Sequence, residues 1–258
     1  RAFTLGRNGE LRAWRLSDGT PLWRRNLTED GGAEPMWGHA ASPLVSGELL
    51  FMQGGQAIHS VAYRTADGAI AWKNAGGKGS YTSPVLAPLA GRDTLVIMHG
   101  MALAAYVPAS GARLWEVPWE TSIAEYITTP VVSGSLVLVS TAFGKGTLAV
   151  EAGPSGAKVK WRNTALQAEQ SDPLAYGGHL YGYTGFGKQN KGDFACLDLS
   201  DGRLLWKTNA IGCGTLIRVD GHLLCLDNKG NLFLVKPDPA GLRLVAEFRG
   251  ALPSVQEQ

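Results

Sequence analysis

Along this chain apolar residues alternate with polar ones over short runs, and each run ends at a glycine-containing turn. Alternation with a period of two marks half-buried β-strands, because successive side chains point to opposite faces. The clearest case is Asp193 to Trp206, which reads Asp-Phe-Ala-Cys-Leu-Asp-Leu-Ser-Asp-Gly-Arg-Leu-Leu-Trp. A strand, a Ser-Asp-Gly turn and a second strand closing on Trp make a β-hairpin. The pattern returns at Leu11–Trp23, Ser60–Trp72, Leu103–Trp115 and Leu148–Trp161, and in a degenerate form at Phe233–Phe248. No segment sustains apolar spacing at i, i+3, i+4 and i+7, so helix is expected to be nearly absent.

The closing aromatics Trp23, Trp72, Trp115, Trp161, Trp206 and Phe248 are 49, 43, 46, 45 and 42 residues apart. A period of about 45 residues with several short strands per repeat is a propeller-blade signature rather than that of a helical solenoid. The second unit shows four strand candidates, at Ser42–Val45, Leu49–Met52, Ile58–Arg64 and Ala69–Trp72, and the later units follow its order. Proline opens the first strand of several units, where a missing N–H disturbs the ladder least. The expected fold is all-β, a propeller of four-stranded antiparallel blades with about six blades present. One domain over 1–258 is expected. It holds a partial blade at 1–27, blades at 28–72, 73–115, 116–161, 162–206 and 207–250, and a tail or the start of a next blade at 251–258. Five four-stranded units and one of three give 23 strands, one short of a six-bladed ring. Pro253 and the polar end make 251–258 a poor last strand, so the chain reads as a segment of a seven- or eight-bladed parent. The aromatic column Trp23, Trp72, Trp115, Trp161, Trp206 and Phe248 is expected to be structural, filling the gap between neighbouring blades.

The set Ser/Thr-Pro-Val-Val, a Gly turn, an apolar strand, Leu-x-Ala, then Ser/Asp-Gly-x-x-Leu-Trp resembles the pyrroloquinoline quinone (PQQ)-like β-propeller repeat across residues 3 to 250. Trp37-Gly38-His39 to Pro43, Gly212-Cys213-Gly-Thr, and Leu223 through Val235 are similar to bacterial quinoprotein-like members. That resemblance implies a periplasmic or extracellular protein. Its relatives include quinone-dependent alcohol dehydrogenases and a scaffold lipoprotein of the outer-membrane protein assembly machinery. The enzymes of the family hold PQQ with Ca²⁺ in the axial funnel, and many stack it on a vicinal cysteine ring. This chain has no Cys-Cys pair and no matching Asp, Glu and Asn trio, so no catalytic residue is assigned and no cofactor or metal site is expected. The resemblance points to a non-catalytic binding or scaffolding propeller of the cell envelope. A PQQ-dependent, Ca²⁺-binding alcohol dehydrogenase is the alternative.

Loops that lead into the first strand of each propeller unit commonly carry binding. Here they gather Trp37, His39, Tyr81, Glu125, Tyr126, Glu169 and Asp172 as candidate ligand-binding residues at one mouth. Aromatic and carboxylate groups converging on a concave site suit a protein partner or small ligand. They would otherwise seal the channel and bond the loop backbones.

Charge sharpens this reading. Lys and Arg number 24 against 22 Asp and Glu, with no run of one sign, so no nucleic-acid footprint is present. No apolar stretch approaches the ~20 residues that cross a bilayer as a helix, and a monomer is expected. The chain begins at Arg1 without Met, which leaves its compartment open. Cys196, Cys213 and Cys225 have neither zinc-site nor disulfide-framework spacing. Aligned on the turn glycines, Cys196 shares a column with Ala13, Ala62, Ala105, Val150 and Val235 and is expected to be small packed core. His59, His99, His179 and His222 share no ligand spacing and read as surface or turn residues. The Gly- and Lys-rich insertion Thr184–Asp193 reads as a solvated hairpin tip or a partner-contact loop.

Overall fold

A computed structural model describes residues 1–120, 126–185 and 192–252. Glu125, most of the Thr184–Asp193 insertion and the end of the 251–258 tail lie outside the described residues. Every regular element among the described residues is a strand. The first sheet has three strands, β1 (Ala2–Leu5), β2 (Glu10–Trp14) and β3 (Pro21–Asn26). The second has four, β4 (Leu44–Ser46), β5 (Leu49–Met52), β6 (Ile58–Arg64) and β7 (Ile70–Ala75). The third holds β8 (Val85–Leu89), β9 (Arg92–His99), β10 (Ala102–Tyr106) and β11 (Arg113–Pro118). The fourth holds β12 (Val131–Ser133), β13 (Leu136–Thr141), β14 (Gly146–Gly153) and β15 (Gly156–Asn163). The fifth holds β16 (Leu174–Tyr176), β17 (His179–Thr184), β18 (Asp193–Asp198) and β19 (Leu204–Thr208). The sixth holds β20 (Gly214–Val219), β21 (His222–Asp227), β22 (Leu232–Lys236) and β23 (Arg243–Phe248).

Each sheet is a meander in which strands adjacent in sequence are adjacent in the sheet. The prolines expected to open the first strands stand one residue outside them. Pro43, Pro84, Pro130 and Pro173 directly precede β4, β8, β12 and β16. Lacking an N–H, proline sets the point where the ladder starts. The chain divides into two compact units, residues 1–130 with 152–158 and residues 131–151 with 159–258.

One arrangement recurs at the contacts between consecutive sheets within each unit. The indole N–H of Trp23 donates to Thr65 O at 3.0 Å, that of Trp72 to Pro108 O at 2.8 Å, that of Trp161 to Leu199 O at 2.9 Å and that of Trp206 to Asp238 O at 2.9 Å. Each acceptor lies three residues before the turn glycine of the following sheet. In three cases the ring lies on that glycine, so closely that a Cβ on Gly68 would stand 2.8 Å from Trp23 and one on Gly111 2.5 Å from Trp72. Gly202 is held against Trp161 in the same way. A second donor reinforces two of these contacts, since Asn74 Nδ2 reaches Gly111 O at 2.9 Å and Asn163 Nδ2 reaches Gly202 O at 2.6 Å.

The small-residue column follows from the same geometry. Ala13, Ala62, Ala105 and Cys196 pair directly with Trp23, Trp72, Trp115 and Trp206 on the neighbouring strand, and each pairing is followed at once by a β-bulge. All six column members, Val150 and Val235 included, are buried. Cys196 is therefore packed core, as expected, and burial pushes its thiol up to about 11. Phe248, placed by the sequence in the Trp column, is 65% exposed and has no following sheet among the described residues.

The glycine contacts give a graded prediction. Gly134 has φ 60 with open space around it, so Gly134→Ala is expected to lose only the left-handed backbone penalty, about 1 kcal/mol. Gly111→Ala and Gly202→Ala must also displace a packed indole and are expected to lose about 2 kcal/mol more. Urea unfolding of the three variants checks the order.

Candidate functional site

The loops that lead into the short first strands are pinned at their bases by buried polar groups. Gln53, just after β5, is buried, and its Nε2 donates to Ser80 Oγ at 2.9 Å and to Met98 O at 2.7 Å. Its Oε1 accepts from Ser80 N at 3.0 Å, while Thr82 Oγ1 donates to Met98 O at 2.7 Å. One amide thus fastens the loop before β8 to both the second and third sheets. In the other unit the loop before β16 is held by hydroxyls. Thr147 Oγ1 donates to Leu166 O at 2.9 Å, and Ser140 Oγ accepts from Ala168 N at 3.0 Å. Buried backbone groups in such loops would be costly if left unpaired, and these side chains pair them.

Above that base the structure brings four of the predicted residues onto one set of loops. Trp37 N donates to Tyr81 Oη at 3.3 Å, and Tyr81 N donates to Tyr126 O at 2.9 Å. Tyr126 is fully buried and its hydroxyl donates to Trp119 O. His39 N donates to Arg7 O at 2.8 Å, and the His39 ring is packed so tightly that a Cβ on Gly9 would stand 3.0 Å from Nε2 and one on Gly55 2.8 Å from Cε1. Burial holds this imidazole below its usual pKa, with Glu34 acting weakly in the opposite sense. Trp37 differs from these: it is 65% exposed, beside Met36 at 78%. The loop Glu34–His39 therefore has a fixed backbone and an apolar, solvent-facing tip.

Glu169 and Asp172 belong to the second unit. Glu169 is buried and Asp172 exposed. Burial, and then the Glu169 carboxylate, push the Cys213 thiol up. Burial likewise raises Tyr183 and Cys225, the latter to about 11, so these groups are neutral at ordinary pH. Asp227 organises its own turn, accepting from Lys229 N at 2.9 Å and Asn231 N at 2.8 Å. Among the described residues no group of three or more His, Cys, Asp and Glu could hold a metal ion. The described carboxylates therefore do not form the donor set that a Ca²⁺-held quinone needs.

Two histidines correct the sequence reading. His99 is buried and His59 half-buried, with rings stacked at 4.7 Å, so neither is a surface or turn residue. His222 does sit at a turn, with Nδ1 3.1 Å from Asp220 O. Gln53 gives no signal in the sequence, because a lone glutamine after a strand carries no motif.

The family model described as outer membrane protein assembly factor BamB matches residues 1–208 and 101–237. The chain belongs to that family. A comparison with the curated proteins found no match. Among solved structures, BamB from Moraxella catarrhalis aligns with a TM-score of 0.70 at 16% identity, over 94% of this chain and 71% of that one. A computationally designed protein, Ika8, aligns at 0.64 with 10% identity over 93% of this chain and 69% of that one. Quinohemoprotein alcohol dehydrogenase from Comamonas testosteroni aligns at 0.59 with 15% identity, over 82% of this chain and 43% of the enzyme. These likenesses show the β-propeller fold, with the sheets as its blades. No helix among the described residues is long and apolar enough to cross a membrane.

The loop base and the loop tip separate experimentally. Gln53→Ala leaves Ser80, Thr82 and the Met98 carbonyl short of partners and is expected to cost about 2–3 kcal/mol in urea unfolding. Tyr81→Phe removes one partly exposed hydrogen bond and is expected to cost less than about 1 kcal/mol.

Proposed function

We propose that this chain is a non-catalytic scaffolding propeller of the bacterial cell envelope, working in the periplasm without a cofactor and binding a protein partner through its rim loops. The observation that carries the reading is the Glu34–His39 loop. Its backbone is fixed by Gly38 N on Pro35 O at 2.8 Å, His39 N on Arg7 O at 2.8 Å and Trp37 N on Tyr81 Oη, while Met36 and Trp37 face solvent. A preorganised loop that presents a tryptophan loses little entropy on docking, and tryptophan is the residue most enriched among interface anchors. Membership of the outer membrane protein assembly factor family supports a protein partner within the assembly machinery. His39 and Tyr126 support the loops from beneath in this reading, and Trp37 makes the contact.

The dehydrogenase alternative has no observation of its own in favour. Its solved relatives share the fold at 15–17% identity, and the described carboxylates do not form a metal-binding group.

A photo-crosslinking amino acid at position 37, in cells producing the full-length protein, is expected to give adducts with a component of the outer-membrane assembly machinery. Met36→Ala with Trp37→Ala is expected to weaken binding to that machinery in detergent about tenfold or more, with unfolding free energy unchanged within about 0.5 kcal/mol. A stoichiometric tight complex with PQQ and Ca²⁺, accompanied by dye-linked alcohol oxidation, would overturn the proposal.

A further inference from the structure

The second sheet departs from the common pattern at one place. Its β6–β7 pairing has the shared bulge after Ala62 and a further one between Ile58 and Ser60, which makes His59 the extra residue. The equivalent pairings of the first, third and fifth sheets have the shared bulge alone, and that of the sixth has a single bulge one residue earlier, between Leu234 and Val235. Two residues earlier Ala57 stands at φ 71, a backbone conformation that is unfavourable for a residue with a Cβ and that persists only where its surroundings hold it. Gly76 N secures it, donating to Ala57 O at 2.8 Å.

A bulge re-aims the side chain of its extra residue. Here it lays the His59 ring on that of His99, the last residue of β9, with centroids 4.7 Å apart and planes at 29°. The His99 side chain is 6% exposed; its Nδ1 has no hydrogen-bond partner, and its Nε2 has only the loose contact with Glu116 Oε2 at 3.5 Å. Packing two imidazoles in this way, one of them with its Nδ1 unpaired, is not the cheapest way to fill a gap between sheets. Valine or leucine would fill it without the desolvation cost.

We propose that the His59–His99 stack is an acid-sensitive latch between the second and third sheets, closed while both rings are neutral and opened when they take up protons.

The groups facing the pair decide how it responds. From β6, Ser60 Oγ lies 3.2 Å from His59 Nδ1, and from β10, Tyr106 Oη lies 3.3 Å from the same nitrogen. From β11, Glu116 Oε2 lies 3.5 Å from His99 Nε2, and Arg113 pairs with Glu116 at 2.8 Å. On the β7 side Asn74 Nδ2 donates to Ser60 Oγ at 3.2 Å, and Gly77 lies beside both rings with no side chain. A first proton is best placed on His99, where Glu116 attracts it, although burial outweighs that attraction and Arg113 opposes it. A second proton on His59 would put like charges face to face in a poorly solvated site. Burial first, and then the His99 charge, bring His59 down to about 4.

The direction follows from these shifts. Both rings titrate lower when stacked than when released, so the open form binds more protons. The latch is fully closed above the ordinary histidine pKa of about 6.5 and loses stability as pH falls from there toward about 4.

Hydrogen exchange of β6, β7, β9 and β10, corrected for intrinsic rates, tests this on the intact chain. Between pH 7.5 and 5.0 protection in these strands is expected to fall about tenfold relative to β17 and β18 of the other unit. His59→Phe keeps an aromatic ring on His99 and is expected to remove the His59 share of that difference, leaving the part His99 contributes; His59→Gln, which removes the titrating group without a bulky ring, serves if the first variant fails to fold. Imidazole NMR resonances are expected to show His59 titrating below pH 5. Equal pH dependence in wild type and both variants, or ordinary titration of both rings near 6.5, would overturn the latch.

Discussion

The packing of consecutive sheets within each unit depends on the contact between a tryptophan at the close of one sheet and the hairpin turn of the next. The indole needs an acceptor for its N–H once it is buried. It finds one in a backbone carbonyl three residues ahead of a turn glycine, and in three cases the ring occupies the space where that glycine would carry a Cβ. The residue paired with the tryptophan across the ladder must then be small, as Ala13, Ala62, Ala105 and Cys196 are. Three columns of the repeat, aromatic, small and glycine, are thus one constraint seen from three sides. Trp206 shows how far it relaxes: its N–H reaches Asp238 O, yet Gly241 has open space around it.

The constraint leaves the loops before the short first strands free to vary, so their order has to come from elsewhere. Gln53 supplies it in one unit and the Ser140–Thr147 pair in the other, with different chemistry serving the same need to pair buried loop backbone. Since the bases of these loops are fixed by internal groups, their tips carry little of the folding burden. Trp37 and Met36 can stand in solvent for that reason. Stability and recognition therefore reside in different layers of the same loop.

The strands and packing columns were legible in the sequence because they repeat, and repetition allows each copy to be read against the others. Cys196 is the best example, since its partners in the alignment are alanine and valine and it behaves as they do. The histidine stack was not legible. His59 and His99 are 40 residues apart and share no motif, and the bulge that turns one toward the other appears only once strand register is known. Four of the rim candidates, Trp37, His39, Tyr81 and Tyr126, do meet through one chain of loop contacts, but nothing in the residue types distinguished the buried Tyr126 from the exposed Trp37. Exposure at a loop tip is set by tertiary packing, which alternation along a strand does not encode.

The likeness to a computationally designed protein at 10% identity bears on where function can lie. If the fold is reached from so distant a sequence, the repeat asks for little beyond its packing columns, and those columns are the wrong place to look for chemistry. Residues that break the repeat at a cost are better candidates, because a strained or unpaired group persists only where something offsets it. Ala57 at positive φ, the additional bulge at His59 and the unpaired Nδ1 of buried His99 meet that description within a few residues of one another in space. The Glu34–His39 loop meets it differently, by exposing apolar surface that folding alone would have buried. The two features lie in one unit and need not share a task, since one acts on how two sheets hold together and the other on what the loops can hold.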